Sequence, residues 1–570
     1  MAGQSRKWMI LVAIIWVQAF TGTNFDFSAY SSRLKSVMGI SQVQLNYLAT
    51  ASDLGKVFGW SSGLALLYLP LPLVLFLAAA IGFASYGLQW LLITSTISLS
   101  YFPVFLLCLL AGCSICWFNT VCFVLCIKNF PVNRSLALAL TISFNGVSAA
   151  IFSLAANALS GGSSSPSSYL LLNAVLPLLA SAAALLPILR PPPSSTTALP
   201  PDGARRDYHA FLLLNVIAFC TGLYLLLLNP STSDALTARI LFAGAIGLLI
   251  LPLCIPGIVV AREWARRSIY SSFRFDEPVN LIDGEAQELY KSLIGGESSW
   301  EEEDKEAPKS CWCCEKVVIG KDQLSVLGEE HGPRRLVRRI DFWLYYAAYF
   351  CGATVGLVYS NNLGQIAQSL GRQSQTTTLL TVYSSCSFFG RLVSAVPDFL
   401  RGKLHFARTG WLMIALVPTP LAFFLLAESN HEHALLAGTA LVGLSSGFIF
   451  AAAVSVTAEL FGPNSVGLNH NILITNIPLG SLLYGLLAAL VYDANGRTSG
   501  LGMALFFSDK MVVCMGKECY AATFLSWGVI SLVGLICSVA LYLRTRKAYG
   551  HAAQSPLMAL IHGESFTSLS

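Results

Sequence analysis

The chain has 570 residues, of which 55% are hydrophobic and only 11% are charged, less than half of the roughly 25% charge of soluble domains. This composition excludes a soluble globule, a disordered chain and a small secreted fold held by disulfides. The 35 basic and 30 acidic residues leave a formal charge of +5 that is spread over loops, so no basic face for nucleic acid is expected. A multi-pass membrane protein remains.

Fourteen apolar windows are long enough to cross a bilayer as helices, which takes about 20 residues. The first eight cover residues 8–28, 44–68, 71–93, 101–127, 135–158, 169–189, 209–228 and 236–260. After a long polar gap, six more cover residues 341–362, 376–399, 409–427, 434–458, 466–491 and 522–543. These runs exceed the roughly 10 residues of a barrel strand, so the sequence predicts an all-α integral membrane protein.

The distribution of Lys and Arg predicts the orientation, because cytoplasmic loops retain basic residues. Most of the 35 basic residues fall in segments that are cytoplasmic if the amino terminus is cytoplasmic. We therefore expect both termini in the cytoplasm, with a cytoplasmic central loop at 263–340 and a cytoplasmic tail at 546–570. The plasma membrane and an endomembrane both remain open as the location.

An internal repeat divides the chain into two halves. Superimposing Trp8 on Trp343 also brings Gly55-Lys56 onto Gly390-Arg391. Lys56 and Arg391 are the only basic residues deep in any predicted helix. Two rare residues at corresponding places indicate two pseudo-symmetric six-helix bundles, because a basic residue in the bilayer is costly.

Two six-helix units joined by a long cytoplasmic loop resemble the major facilitator superfamily over nearly the whole chain. Within it, the chain resembles the plant nodulin-like, or nuclear-fusion-defective-like, group. The motifs that carry this resemblance are Lys7-Trp8, Asn24-Phe25, Tyr30-Ser31, Leu34-Lys35, Leu45-Asn46-Tyr47-Leu48-Ala49, Asp53-Leu54-Gly55-Lys56, Lys128-Asn129-Phe130-Pro131 with Arg134, Glu459-Leu460-Phe461-Gly462 and Pro478-Leu479-Gly480-Ser481. The resemblance implies two bundles that rock about a midplane site.

This plan assigns residues 1–190 and 341–545 to the two bundles. The windows within 191–262 exceed the twelve-helix plan, and we interpret them as an extra helix pair that belongs to the nodulin-like domain and lies between the bundles. The superfamily's charged gate is present in the second half as Gly390, Asp398, Arg401, Gly402 and Lys403. The corresponding loop of the first half, residues 68–72, carries no charge.

The two intramembrane cations are the main candidates for solute binding. A Lys or Arg at the centre of a helix costs about 2.5–3.5 kcal/mol on insertion scales, so each needs a partner. Asp53 lies one turn before Lys56, close enough for an ion pair. One interpretation is purely structural: Asp53 neutralises Lys56, and Arg391 braces Asp398. In the other, Lys56 and Arg391 both face the seam between the bundles and bind an anion such as a carboxylate.

Carboxyl groups are the candidates for proton coupling and gating. Asp26 and Asp53 could carry a proton, although Asp26 stands at the outer end of the first helix, where a solvated cap is the simpler interpretation. Asp398, Arg401 and Glu459 lie near the cytoplasmic face and are candidates for gating. The sequence assigns no coupling ion.

Polar side chains within the helices form a further candidate set. Asn24, Asn119, Asn145, Tyr359, Asn361 and Asn362 could line a cavity, with Trp117 and Tyr383 as its walls; hydrogen bonding between helices is the alternative for each. The pair Asn361-Asn362 followed by Gly364 also predicts an interrupted helix.

Other chemistry is not indicated. The cluster Cys311, Cys313 and Cys314 lacks the spacing of a zinc site, and we see no phosphate-binding loop, heme-ligand pair or catalytic triad, so no metal, cofactor or enzymatic activity is expected. Cys514 and Cys519 could form a disulfide in the last outer loop.

The sequence therefore predicts a transporter whose partners are the lipid bilayer and a small polar or anionic organic solute, with proton coupling left open. The alternative is a membrane receptor or regulator that acts through the central loop, for which no protein partner can be named.

Overall fold

The computed structural model describes residues 2–40, 42–131, 133–160, 165–189, 201–228, 235–262, 324, 326–372, 375–400, 406–429, 431–497 and 514–553. Throughout these ranges the chain forms helices and turns, and no strand. The prediction of an all-α membrane protein is confirmed. Most of the central loop and the carboxyl-terminal tail lie outside the described residues.

The helices of the first half are Ala2–Thr21, Phe27–Met38, Gln42–Gly55, Trp60–Tyr68, Leu71–Ile93, Tyr101–Asn129, Arg134–Gly146, Ser148–Ser160, Pro166–Leu189, Pro201–Leu228 and Ala235–Ile250. Those of the second half are Pro333–Leu336, Ile340–Tyr349, Val355–Ser369, Thr376–Val393, Val396–Leu400, Arg408–Leu416, Pro418–Glu428, Glu432–Phe461, Val466–Leu473, Asn476–Arg497 and Glu518–Ala553. Short 3₁₀ turns cover Thr23–Asp26, Lys56–Gly59 and Leu251–Leu253, and a π turn covers Phe350–Thr354.

These helices join into fourteen spans, which we number in chain order. Of the described segments, thirteen are long and apolar enough to cross a membrane. They are span 1 (Ser5–Ser31), span 3 (Leu71–Ile93), span 4 (Tyr101–Asn129), span 5 (Arg134–Ser160), span 6 (Pro166–Leu189), span 7 (Asp207–Leu228), span 8 (Ala235–Arg262), span 9 (Ile340–Ser369), span 10 (Thr376–Leu400), span 11 (Arg408–Glu428), span 12 (Glu432–Phe461), span 13 (Val466–Tyr492) and span 14 (Glu518–Gly550). Span 2 is the helical segment 42–68, which is more polar and contains Asp53 and Lys56.

The internal repeat is visible in how the spans cross. A Cβ added to Gly55 of span 2 would overlap the Leu109 carbonyl oxygen of span 4, and one added to Gly390 of span 10 would overlap the Leu444 carbonyl oxygen of span 12. The reciprocal contacts on these two crossings join Gly112 to Ser52 and Gly447 to Ser387. The sequence distance between each residue of the second crossing and its counterpart in the first equals the distance between Trp8 and Trp343. The backbones of both halves therefore approach in the same way, which only glycine permits.

Spans 7 and 8 pack mainly on the first bundle. The Trp8 ring of span 1 lies 5.2 Å from the Phe211 ring of span 7, and Trp16 Nε1 donates to the Leu249 carbonyl oxygen of span 8 at 2.7 Å. Span 7 also reaches the second bundle, where Phe219 lies 5.5 Å from Phe389 of span 10. The extra pair thus lies beside the first bundle and touches the second.

Ends of spans from both halves share one side of the molecule, which we call the terminal face. Near the amino terminus, Lys7 pairs with Asp207 at 2.5 Å. The neighbouring Tyr208 ring lies 5.4 Å from Phe399, at the end of span 10. At the other end of span 14, Cys514 and Cys519 form a disulfide with a Cα–Cα distance of 5.9 Å.

The prediction of an interrupted helix at Asn361-Asn362 is wrong. The helix Val355–Ser369 continues through both residues, and Asn362 Nδ2 donates to the Val358 carbonyl oxygen one turn earlier at 2.9 Å. This bond satisfies the amide without breaking the backbone ladder. The irregularity of span 9 is instead the π turn at Phe350–Thr354.

Candidate solute-binding site

A cavity of about 100 Å³ lies where the two bundles meet. Spans 1, 2, 4 and 5 contribute Gln18, Asn24, Phe25, Lys56, Ile115, Cys116, Asn119, Thr120, Phe123, Ile142 and Asn145. Spans 9, 10, 12 and 13 contribute Tyr349, Leu357, Arg391, Phe450, Val454, His470, Asn471, Ile474 and Ile477. The irregular turns of spans 1 and 2 place Asn24 and Lys56 in this wall, as expected for non-helical backbone at membrane depth. Both intramembrane cations therefore face one shared space.

Arg391 is a buried cation without an acidic partner among the described residues. Only 3% of its surface is exposed. Nη1 donates to the Ile142 carbonyl oxygen and to Asn145 Oδ1, both at 3.1 Å, and Nε has no partner. The guanidinium carbon lies 5.3 Å from the Phe25 ring and 5.5 Å from the Phe450 ring. Aromatic faces and neutral oxygens stabilise the charge but do not neutralise it.

The interpretation in which Arg391 braces Asp398 is wrong. Arg391 reaches across to span 5 of the other bundle, while Asp398 pairs with Arg408 at 2.5 Å. The position of Arg391 in span 10 directs its side chain toward the seam, whereas Asp398 lies at the terminal face.

Lys56, in contrast, is neutralised within its own span. Its Nζ lies 2.6 Å from Asp53 Oδ1, as the one-turn spacing predicts. The Ser481 hydroxyl of span 13 donates to the other oxygen of Asp53. One oxygen of Asp53 thus pairs with Lys56, and the other accepts a hydrogen bond from the opposite bundle.

The difference between the two cations follows from one departure from the repeat. Asp53 corresponds to Phe388 of the second half, and Ser481 corresponds to Gly146 of the first. The contact between Asp53 and Ser481 has a counterpart, because a Cβ at Gly146 would lie 3.0 Å from the Phe388 backbone. The same inter-bundle contact is therefore ionic on one side and apolar on the other, which leaves Arg391 without a carboxylate.

The uncharged candidates separate into two groups. Asn24, Asn119 and Asn145 line the cavity, and Asn24 and Asn361 line a smaller neighbouring pocket. Tyr359 and Tyr383 instead lie in the core of the second bundle. The Tyr359 hydroxyl bonds to Thr439 at 2.6 Å, and the Tyr383 hydroxyl donates to the Gly356 carbonyl oxygen at 3.1 Å. These two side chains hold spans together and do not line the cavity.

Asp26 is not a solvated cap. Its side chain is fully buried and makes no capping bond to the helix that follows. Asn173 Nδ2 of span 6 donates to Oδ1 at 3.2 Å, while Oδ2 has no partner. The helical turn Thr23–Asp26 directs the carboxyl group into the first bundle, where a charged form would be costly.

The acidic candidates of the second half meet at the terminal face. Arg408 binds Asp398 at 2.5 Å and Glu459 at 3.1 Å, and the Tyr549 hydroxyl donates to Glu459 at 2.9 Å. Arg408 was not predicted from the sequence, because its two partners come from two other spans. The predicted gate residue Arg401 lies outside the described residues.

Sequence analysis also missed several residues that shape the cavity. Gln18 and His470 are each more than nine-tenths buried and line its wall, as do the aromatic rings of Phe25, Phe123 and Phe450. Gln18 and His470 could have been recognised as candidates, because a polar residue within an apolar span is costly and needs a partner. No comparable signal exists for Phe25 or Phe450, since phenylalanine is common in apolar spans.

Comparison with known proteins agrees with this architecture. The model of the family described as Nodulin-like matches residues 7–257, and that described as NFD4, C-terminal domain matches residues 325–551. Protein NUCLEAR FUSION DEFECTIVE 4 of Arabidopsis thaliana is 55% identical over 557 residues, which cover 97% of this chain and 91% of that protein. The probable transporter mch1 of Neurospora crassa is 22% identical over 242 residues, or 37% of this chain and 39% of that one.

Among solved structures, the chain resembles a bacterial homologue of the human lysosomal transporter Spinster, crystallised in an inward-facing, unoccupied conformation. The two share 13% identity and a TM-score of 0.50, with 97% of this chain and 99% of that chain covered. The thirteen candidate spans, the two bundles and their central cavity define a multi-pass membrane protein with the same fold as that structure, as the resemblance to the major facilitator superfamily predicts. Within that fold class, the chain belongs to the nodulin-like, NFD4-like family.

Proposed function

We propose that this protein is a secondary-active or facilitative transporter that moves a small organic anion across a membrane by alternating access. The observation that carries the proposal is the buried guanidinium of Arg391, which faces the central cavity without a carboxylate partner among the described residues. The name of the fungal relative and that of the bacterial homologue both refer to transporters. The central cavity between two pseudo-symmetric bundles supports the same activity.

The charge of the cavity argues for an anion. Since Asp53 already neutralises Lys56, the excess positive charge belongs to Arg391. An incoming carboxylate supplies the missing counter-ion and accepts hydrogen bonds from the guanidinium, of which Nε is unpaired. Such charge-assisted bonds are stronger than neutral ones. The binding site is thus centred on Arg391 and is asymmetric with respect to the two halves.

Asp53 is the proposed coupling group. It lies between Lys56 and Ser481 of the opposite bundle, so its protonation would release Lys56 toward the cavity and weaken one contact between the bundles. Uptake would then depend on a proton gradient. The buried Asp26 is a second candidate, but the described residues place no cation beside it.

The proposed orientation has both termini in the cytoplasm. The terminal face carries the basic residues Lys7, Arg408 and Arg544, in agreement with the positive-inside tendency. The disulfide between Cys514 and Cys519 lies at the start of span 14, one membrane crossing from the terminal face. A disulfide favours a non-cytosolic side for that loop.

Reconstituted protein tests the proposal. Liposomes that contain the purified chain are screened with labelled monocarboxylates, dicarboxylates, sugars and amino acids, with and without a proton gradient. We expect uptake of an organic anion, and we expect Arg391→Gln to weaken its apparent affinity about 10- to 100-fold, the loss of one charged hydrogen-bonding partner.

Arg239→Gln is the matched control, because Arg239 lies in span 8, donates to the Ala158 carbonyl oxygen at 3.3 Å and does not line the cavity. It is expected to transport like the wild type. Transport of a neutral solute that is unaffected by Arg391→Gln in a folded preparation would refute the anion site.

A further inference from the structure

The end of the cavity away from Arg391 holds a second group of unsatisfied polar atoms. Gln18 of span 1 is 1% exposed and His470 of span 13 is 8% exposed, and both line the cavity. Within the part of the chain that the structure describes, Gln18 Oε1 and His470 Nδ1 have no hydrogen-bond partner. Buried polar atoms are ordinarily paired, and leaving one unpaired costs about 1–3 kcal/mol. Two such atoms in one wall indicate a missing partner.

These atoms belong to one continuous patch that joins the two bundles. Gln18 Nε2 donates to Asn119 Oδ1 at 3.1 Å. Asn119 and Phe123 are one turn apart on span 4, so their side chains share a face. The Phe123 ring in turn meets the His470 ring edge to face, with 6.0 Å between centroids. We call Gln18, Asn119, Phe123 and His470 the neutral patch.

The neutral patch and the cationic end are separated along the axis of the cavity. Phe25, which stacks on Arg391, follows Gln18 by seven residues in span 1. At rises of roughly 1.5 Å per residue in the α-helix that ends at Thr21 and roughly 2.0 Å in the 3₁₀ turn that follows, this corresponds to about 12 Å. After about 2.9 Å is allowed for a hydrogen bond at each end, about 6 Å remains between the two terminal oxygens of a ligand, which an extended hydroxy acid of about four carbons spans.

The chemistry of the neutral patch selects its ligand. The free Gln18 Oε1 accepts a hydrogen bond, and the free ring nitrogen of His470 exchanges one in either direction according to its tautomer. No Lys or Arg belongs to the patch. A hydroxyl group has the donor and the acceptor that either atom requires, whereas a second carboxylate would face the amide oxygen of Gln18 and be repelled.

We propose that the neutral patch is a second subsite, which recognises a hydroxyl group at the far end of a monocarboxylate bound to Arg391. The substrate class is thus a hydroxy acid that carries one negative charge, rather than a dicarboxylate or an unsubstituted fatty acid. This inference rests on the proposed anion transport and adds the role of His470 and Gln18.

Three four-carbon probes test the subsite: butyrate, 4-hydroxybutyrate and succinate. Each is titrated as a competitor and as a thermal stabiliser of the purified full-length chain, in the wild type, in His470→Leu and in His470→Gln. We expect the wild type to bind 4-hydroxybutyrate at least about tenfold more tightly than the other two, the value of roughly one hydrogen bond that satisfies a buried group. His470→Leu should remove this preference, and His470→Gln should restore part of it.

The outcomes separate the subsite from the transport proposal. If Arg391→Gln abolishes the binding of all acids but the wild type shows no preference for the hydroxy acid, the subsite is refuted and the anion site stands. A preference that persists in a folded His470→Leu variant also refutes the subsite. If Arg391→Gln binds all three probes like the wild type, the anion site itself fails, and the subsite inference falls with it.

Discussion

At the scale of single residues, Lys56 and Arg391 have different surroundings because the position of Asp53 in the first half is occupied by Phe388 in the second. The pairing of Lys56 with Asp53 could be predicted because both residues lie on one turn of one helix. The surroundings of Arg391 could not be predicted, because its partner Asn145 lies 246 residues away in the other bundle. Local spacing determines contacts within a helix but not contacts between helices.

The ion pair of Lys56 and Asp53 predicts that substitutions at these two positions have non-additive effects on stability. Asp53→Asn removes the charge that neutralises a buried Lys56, and breaking such a pair costs about 3–5 kcal/mol. We expect a clear drop in the melting temperature of the detergent-solubilised protein, and recovery of most of it in the double variant Asp53→Asn with Lys56→Met.

The surface pair of Arg335 and Glu329 is the matched control. Its atoms are 2.7 Å apart, but its side chains are 52% and 37% exposed, so Arg335→Gln should change stability by about 0–1 kcal/mol. A double variant no more stable than Asp53→Asn alone would contradict the assignment of the pair.

At the scale of the elements, the helix crossings and the irregular turns build the cavity. Gly55 and Gly390 let spans 2 and 10 approach spans 4 and 12 so closely that no side chain fits. The residue that follows each glycine, Lys56 or Arg391, is thereby placed in the cavity wall. The repeated dipeptide could be recognised in the sequence, but the reason for the glycine is visible only where two backbones meet.

The glycine crossings predict a steric effect. Gly55→Ala and Gly390→Ala each place a methyl group onto a backbone carbonyl, and we expect destabilisation of at least about 1–3 kcal/mol, with a smaller monodisperse fraction in size-exclusion chromatography.

Gly87→Ala is the control, because Gly87 lies within span 3 and an added Cβ there has no neighbour within 4 Å. It should be neutral or stabilise the helix by up to about 1 kcal/mol. Equal behaviour of Gly87→Ala and Gly390→Ala would show that the crossing is looser than described.

At the scale of the whole molecule, contacts between the bundles decide which conformations are accessible. Asn471 Nδ2 of span 13 donates to the Gly59 carbonyl oxygen of span 2 at 3.2 Å. Ser384 of span 10 donates to the Gly146 carbonyl oxygen of span 5 at 2.5 Å. These polar contacts lie beside apolar ones, such as that between the rings of Phe144 and Phe388, 5.9 Å apart. Alternating access requires that such contacts break and re-form in each cycle.

A reversible cross-link tests this requirement. A Cβ at Gly59 would lie 3.3 Å from the native Cys116 sulfur and 3.4 Å from Asn471 Oδ1, so in a Cys116→Ser background Gly59→Cys together with Asn471→Cys should form a disulfide between the bundles. We expect oxidation to stop solute uptake into liposomes and reductant to restore it. The single variants and the wild type, which has 15 cysteines of its own, receive the same treatment as controls. Undiminished uptake by the fully cross-linked protein would exclude rocking of the bundles at this contact.

The amino-acid sequence by itself determined the membrane class, the twofold plan, the family and the two cations, because these depend on local hydropathy, on an internal offset and on charges too costly to occur by chance. Only the tertiary structure decided that Arg391 has no counter-ion among the residues that the structure describes, that Asp26 is buried beside Asn173, that Arg408 binds both Asp398 and Glu459, and that Gln18 and His470 face the cavity. Each of these features depends on which faces of distant helices meet. An apolar helix in lipid shows little periodicity that would reveal its packing partner, so this information appears only when the helices are assembled.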